Sequence, residues 1–181
     1  MLKRIMLSII IVMGLIALTL PLPPAIKAAV EKYTHQGRAE SGNVVEGLRL
    51  YLKVERDTVR PGESILLKIE LKNTSKRTLI VKDTSIQYDY RLDVRNQSGQ
   101  EVSLTDKGQQ LKDMLSHWEE ISAKFTEIEP QKSKEYTLDI TGLYDFKSGE
   151  TYLITAGRLV GRKDNQGKLK VTSNTIRIKV V

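Results

Sequence analysis

The chain has 181 residues, with 29 Lys+Arg against 22 Asp+Glu, two His and no Cys, a size that fits one domain. The lack of cysteine excludes a disulfide scaffold, a Cys-ligated zinc or iron–sulfur site, a thiol nucleophile and a lipidated N-terminal cysteine. Part of the positive excess sits in residues 1–28, where Lys3, Arg4 and Lys27 occur without an acid, and the remainder has an ordinary mixed surface.

Lys3 and Arg4 precede an uncharged run from Ile5 to Leu20, which is followed by Pro21, Pro23 and Pro24 and then by Ala25-Ile26-Lys27-Ala28-Ala29. This tripartite order is that of a secretory signal peptide. The run is shorter than the roughly 20 residues a membrane-spanning helix needs, and the prolines end any helix just beyond it. Residues 1–28 are therefore expected to be removed after Ala28. The competing expectation is an uncleaved anchor with its basic end in the cytoplasm. Under either, the domain is exported, to a periplasmic or extracellular location.

Residues 29–47 (AVEKYTHQGRAESGNVVEG) are polar and aperiodic, as in a flexible linker. At Leu48 a period of two begins, which assigns 48–181 to the folded domain. Leu48, Leu50, Leu52 and Val54 alternate with Arg49, Tyr51, Lys53 and Glu55, the pattern of a half-buried strand. Arg60-Pro61-Gly62-Glu63 follows, with Pro and Gly in the central positions of a type II turn. Ile65, Leu67, Ile69 and Leu71 then form one face of a second strand, which breaks at Asn73-Thr74-Ser75. Further strands are expected at 78–81, at 88–94 up to the turn Asn96-Gln97-Ser98-Gly99, at 125–128, at 136–140 after Glu129-Pro130-Gln131-Lys132, at 152–156, and at 176–180. Seven or eight short antiparallel strands with one-sided apolar faces and no intervening βαβ helix require two sheets packed face to face. Between them, Leu111, Leu115, Trp118 and Ile121 recur at helical spacing, so a short helix or compact crossover covers an open end of the core.

Two turn-then-strand phrases read alike, Arg60-Pro-Gly-Glu-Ser64 and Glu129-Pro-Gln-Lys-Ser133. With Asn73-Thr74-Ser75, Thr78, Val81, Gln87-Tyr88-Asp89-Tyr90, Gly99 and Val102, they make the stretch from Ser64 to about Gly157 similar to the intracellular proteinase inhibitor family of bacterial immunoglobulin-like domains. The sequence departs from that pattern at Ser103-Leu104, where the family often has tryptophan, and at Gln131, where a turn glycine is usual. The resemblance implies an immunoglobulin-like β-sandwich. Tyr152, close after Gly149, resembles the tyrosine of an immunoglobulin corner; a plain core tyrosine fits its position equally.

Chemistry is sparse. The two imidazoles are His35 in the linker and His117 in the crossover, and no Gly-x-Ser-x-Gly elbow, His-Glu-x-x-His, phosphate-binding glycine loop or calcium loop occurs. No catalytic residue, metal or cofactor is expected, and an enzyme is not the reading. Asp83, Asp89 and Asp93 read as strand-exterior charges. Two candidate binding surfaces remain. His117 and Trp118 offer an aromatic anchor, although Trp118 capping the core explains the same residues. Arg158, Arg162, Lys163, Lys168 and Lys170 surround a hairpin tip with Asp164 as the acid. That tip suits an anionic surface, or is a solvated hairpin that resists edge pairing. Nucleic acid is excluded as a partner because the patch lacks interleaved aromatics.

The expected function is an exported, non-catalytic binding module of the cell envelope, its partner a protein or an anionic surface component, with the membrane reached only through an uncleaved N-terminal segment. The alternative, implied by the resemblance, is an extracellular proteinase inhibitor. Against it, neither 105–124 nor 161–167 has the proline or cysteine bracing that holds an inhibitory loop rigid.

Overall fold

A computed structural model describes residues 42–116, 124–161 and 168–181. Its strands are β1 (Val44–Val45), β2 (Leu48–Val54), β3 (Thr58–Val59), β4 (Leu66–Asn73), β5 (Leu79–Asp83), β6 (Tyr90–Asn96), β7 (Lys124–Ile128), β8 (Ser133–Asp139), β9 (Thr151–Gly161) and β10 (Lys168–Val180). One turn of helix, α1 (Ile86–Asp89), precedes β6, and α2 (Asp106–Ser116) follows it. The strands form two four-stranded sheets, β1-β2-β4-β8 and β3-β10-β9-β6, and a two-stranded ribbon, β5-β7. The chain is thus an all-β, immunoglobulin-like two-sheet sandwich with a short helix. Beyond the eight expected strands it has the two-residue β1 and β3.

The alternation read from the sequence sets the core. Leu50, Leu52, Leu67, Ile69 and Leu71 of one sheet face Val94, Ile154, Val171 and Ile178 of the other, all buried. The two strands that follow the proline turns are neighbours: Ile69 is opposite Tyr136 and Leu67 opposite Leu138. Both turns close with the same bond, Glu63 N–H to the Arg60 carbonyl at 3.0 Å and Lys132 N–H to the Glu129 carbonyl at 3.1 Å. Gln131 adopts a left-handed φ of 62° where glycine would be at ease, and its amide donates to the carbonyls of Thr74 and Ser75. Tyr152 forms a tyrosine corner: its buried hydroxyl accepts from the Lys147 N–H at 2.7 Å and donates to Glu150.

The two long sides of the sandwich differ. One is closed where β2 meets β10. At a bulge between Thr172 and Thr175, Ser173 and Asn174 of β10, both buried, stand against the single Ala156 of β9. The Asn174 amide accepts from Leu52 N–H and donates to the Leu52 carbonyl, both at 2.9 Å, so a side chain joins the sheets where no ladder can. Ser173 Oγ meanwhile accepts from Ala156 N–H and repairs the ladder that the bulge breaks. This bulge shifts the period-two phase, which is why the apolar pattern of β10 is recognisable only from residue 176 while the strand begins at Lys168. Asn43 bonds to Lys170 and Thr172, and β3 runs parallel to the end of β10. The folded sandwich therefore takes in residues from Asn43 onward, earlier than the expected linker boundary at Gly47.

The other long side lies between the edge strands β6 and β8. There the ribbon covers one end and α2 the other, which positions both features considered below.

Candidate functional site

At the ribbon end, three strands each carry a charged residue in phase with their core residues. Asp83 continues Leu79 and Val81 on β5, Lys134 precedes Tyr136 and Leu138 on β8, and Arg158 follows Ile154 and Ala156 on β9. The three meet at the ribbon, where Arg158 is buried and Asp83 and Lys134 are half-buried. Arg158, only 3% exposed, donates to Asp83 at 2.8 Å, to the Lys82 carbonyl at 2.6 Å and to Tyr90 Oη at 2.8 Å, with Asp89 at 3.9 Å. Asp83 also accepts from Lys134 at 2.7 Å and from Tyr136 Oη at 2.9 Å. The guanidinium lies 5.0 Å from the Tyr90 ring centre, and the Tyr90 and Tyr136 rings stand 5.2 Å apart.

Electrostatics follow from this geometry. Burial alone would raise the Asp83 carboxyl, but the hydrogen bonds from Lys134, Thr126, Arg158 and Tyr136 together hold it well below the usual carboxylate range. Asp89 is pushed up, chiefly by burial, against the opposing Thr84 N–H and Arg158. Burial also raises Tyr136, helped by Tyr90 and the Asp83 carboxylate. For Arg158, burial opposes the charge, and Tyr90, Asp83 and Asp89 more than offset it. Asp83 is fully engaged by protein donors, so the network is a clasp that holds the ribbon to both sheets.

Two sequence readings are corrected here. Arg158 is not part of an exposed basic tip, because its position in the alternation turns it into the core. Asp83 and Asp89 are not strand-exterior charges, because both face Arg158. Asp93 does lie outward, paired with Arg95 at 2.9 Å. Lys168 and Lys170 are exposed at the start of β10. His117, Trp118, Arg162 and Lys163 lie outside the described residues.

At the other end, α2 rests on the turn after β8. Thr105 caps it: its Oγ accepts from Gly108 N–H at 3.1 Å and donates to the Gly142 carbonyl at 2.6 Å, while its N–H donates to the Leu143 carbonyl at 3.1 Å. A Cβ on Gly108 would stand 2.1 Å from the Leu143 oxygen, so only glycine lets the helix sit this close. Beneath α2 opens a groove of about 200 Å³. Val94, Leu138 and Ile140 form its floor and Leu111 and Leu115 its roof, with Arg91, Glu101 and Lys112 at the rim. Tyr144 also lines it, its hydroxyl pushed up to about 12 by burial and by Glu101 and Asp93. The groove is suited to an apolar group.

Gly108→Ala provides a test of this seating. In an exposed helix, alanine for glycine gains about 1 kcal/mol; here the variant should instead be less stable, because the helix must lift off Leu143. Thermal denaturation reads the sign, and a raised midpoint would refute the contact.

The outer faces of the two sheets carry different charge. On β2, β4 and β8, Arg49, Lys53, Lys68 and Lys72 are mixed with Glu70, Glu135 and Asp139, and Lys53–Glu70 and Lys68–Glu55 are ion pairs at 3.3 and 2.7 Å. On the opposite sheet, the residues of β9 that face outward are Thr151, Leu153, Thr155, Gly157, Leu159 and Gly161. Register places Lys168, Lys170, Arg177 and Lys179 of β10 and Arg91 and Arg95 of β6 on that same face. The one acid on these strands is Asp93. Among the described residues no helix is long and apolar enough to cross a membrane, and no group of three His, Asp or Glu side chains is placed to hold a metal ion.

No family model matches the chain, that of the intracellular proteinase inhibitors included, and no curated protein matches it. Solved structures do. A structural-genomics target determined by X-ray crystallography is 10% identical over 76% of this chain and 90% of its own, with a TM-score of 0.42. The CARDB domain of a Pyrococcus furiosus protein, solved in complex with di-metal ions, is 17% identical over 78% of this chain and 90% of its own, with a TM-score of 0.37. The alkylpurine DNA glycosylase AlkC of Pseudomonas fluorescens, bound to DNA containing an abasic site analogue, is 14% identical over 74% of this chain and 30% of its own, with a TM-score of 0.36. The assignment of the sandwich rests on the strand order and register given above.

Proposed function

We propose that the chain is an exported, non-catalytic β-sandwich module that binds a component of the cell envelope. The observation that supports this most is the division of its polar groups. Asp83, Tyr136 and Arg158 on β5, β8 and β9 close on one another, whereas Lys168, Lys170, Arg91, Arg177 and Lys179 on one outer sheet face form no ion pair among the described residues. A catalytic centre needs a titratable group within reach of a substrate, and Asp83 and Arg158 are both occupied by the protein itself. A basic face, by contrast, acts by contact with something anionic. Export follows from the tripartite pattern of residues 1–28 and gives the face an envelope in which to act.

The test presents the full chain, immobilised, with envelope material separated into protein, wall polymer and lipid. Saturable, salt-sensitive retention of one class is expected, lost when Lys168, Lys170, Arg177 and Lys179 are changed together to glutamine. No class retained, or retention that the quadruple variant keeps, would overturn the proposal.

A further inference from the structure

The basic face has a shape as well as a charge. Lys168 and Lys170 stand at one end of β10 and Arg177 and Lys179 at the other, and residues two apart on a strand are spaced by about 7 Å. The methylene stem of Lys170 lies across Gly157. That stem carries the ammonium over the sheet instead of off its edge. Lys168, Lys170, Arg91, Arg177 and Lys179 form no ion pair among the described residues, and Arg95 is held by Asp93. Asp57, next to β3, stands at the margin beside Lys179. Leu159, opposite Lys170 at the hairpin end of the face, is 58% exposed.

A predominantly basic sheet face with an exposed apolar side chain matches a planar anionic target that admits an apolar group at its boundary. Resting on the binding-module reading above, we propose that the outer face of the β3-β10-β9-β6 sheet docks on an anionic lipid bilayer, with Leu159 entering the headgroup boundary and the cations of β10 and β6 spread over the headgroups. A wall polymer would satisfy the charge but offers Leu159 no apolar boundary, whereas the headgroup region of a bilayer offers both. The footprint spans the whole of β10. It is therefore not confined to the hairpin end.

Sedimentation of the full chain with phosphatidylcholine vesicles, with and without phosphatidylglycerol, tests the proposal. The zwitterionic vesicles measure whatever the apolar residues 5–20 contribute. Each basic residue near an anionic surface is worth about 5-fold in partitioning, the equivalent of ~1 kcal/mol. Arg177→Gln/Lys179→Gln, at the end far from the hairpin, should thus lose about 25-fold on the anionic vesicles. Leu159→Ser should weaken binding to them, and Lys53→Gln/Lys68→Gln on the opposite sheet should change it less than 2-fold. Binding should fall steeply with salt, as the Debye length shrinks from about 10 Å at 0.1 M to 3 Å at 1 M. An Arg177/Lys179 variant that binds like the wild type would overturn the footprint. Failure to bind anionic vesicles while wall polymer or an envelope protein is still retained would overturn the lipid target and leave the binding-module reading in place; failure of every class would remove both.

Discussion

An Arg158→Met variant is expected to be less stable than the wild type by about 3–5 kcal/mol at pH 7, the usual cost of removing one partner from a buried ion pair. Methionine fills much of the same volume, so the loss is electrostatic: Asp83 keeps Lys134 and Tyr136 but loses its buried counter-charge, and the Lys82 carbonyl and Tyr90 hydroxyl lose a donor. The pH dependence separates this from a packing defect. In the wild type the Asp83 carboxyl is held below its unfolded value. The stability it contributes is therefore complete above about pH 4 and drains as pH falls from there toward the folded value. Asp89 has the opposite sign: its raised folded value means that protonation favours the folded state as pH falls through it. Without Arg158 the depression of Asp83 shrinks and the elevation of Asp89 grows. The gap between variant and wild type should therefore be widest at neutral pH and narrow in acid. Chemical denaturation at pH 7 and pH 3 measures it, and two parallel stability profiles would show that the guanidinium charge is not what matters.

Asn174→Leu should have the second large effect. Its amide satisfies both backbone groups of Leu52, and both would be left buried and unpaired by a side chain of similar size. At about 1–3 kcal/mol for each orphaned group, the expected loss is about 2–6 kcal/mol. A local readout accompanies the global one: the Leu52 amide, bonded to Asn174, should exchange slowly with solvent in the wild type and much faster in the variant. Unchanged protection of that amide would mean that another acceptor replaces Asn174.

How far the sequence reveals this molecule depends on the phase of its alternation. Where period two runs uninterrupted, as from Leu48 to Val54 and from Ile65 to Leu71, strand, face and neighbour are all legible, and the like turns at Pro61 and Pro130 mark the strands that pair. The same phase contains the clasp. Arg158 stands two residues after Ala156 and two before Val160, Asp83 two after Val81, and Lys134 two before Tyr136, so each charge sits where a core residue is due. Grouping Arg158 with its sequence neighbours at the hairpin tip overlooks that periodicity, and a charge placed in core phase should direct the search to a second one. The basic outer face was hidden for a different reason: the bulge at Ser173 and Asn174 shifts the phase within β10, so Lys168 and Lys170 do not read as sharing a face with Arg177 and Lys179. The seat of α2 on Leu143 was legible only in part. Helical spacing announces the helix, but one glycine within it does not say what it touches.

The parallel pairing of β3 with the end of β10 bears on how the domain would respond to mechanical load. A pull on the residues before β3 and on those after β10 draws two parallel strands in opposite directions along their common axis. The bonds from Lys179 N–H to the Asp57 carbonyl and from Val181 N–H to the Val59 carbonyl then strain together and must break together. A hairpin pulled from its open end would instead unzip one bond at a time. Asn43 and Asn174 tie the same strand to its other neighbours, so β10 cannot peel away until these side-chain bonds also fail. A module anchored at one end and loaded at the other would thus resist extension through its last strand, whatever its thermodynamic stability.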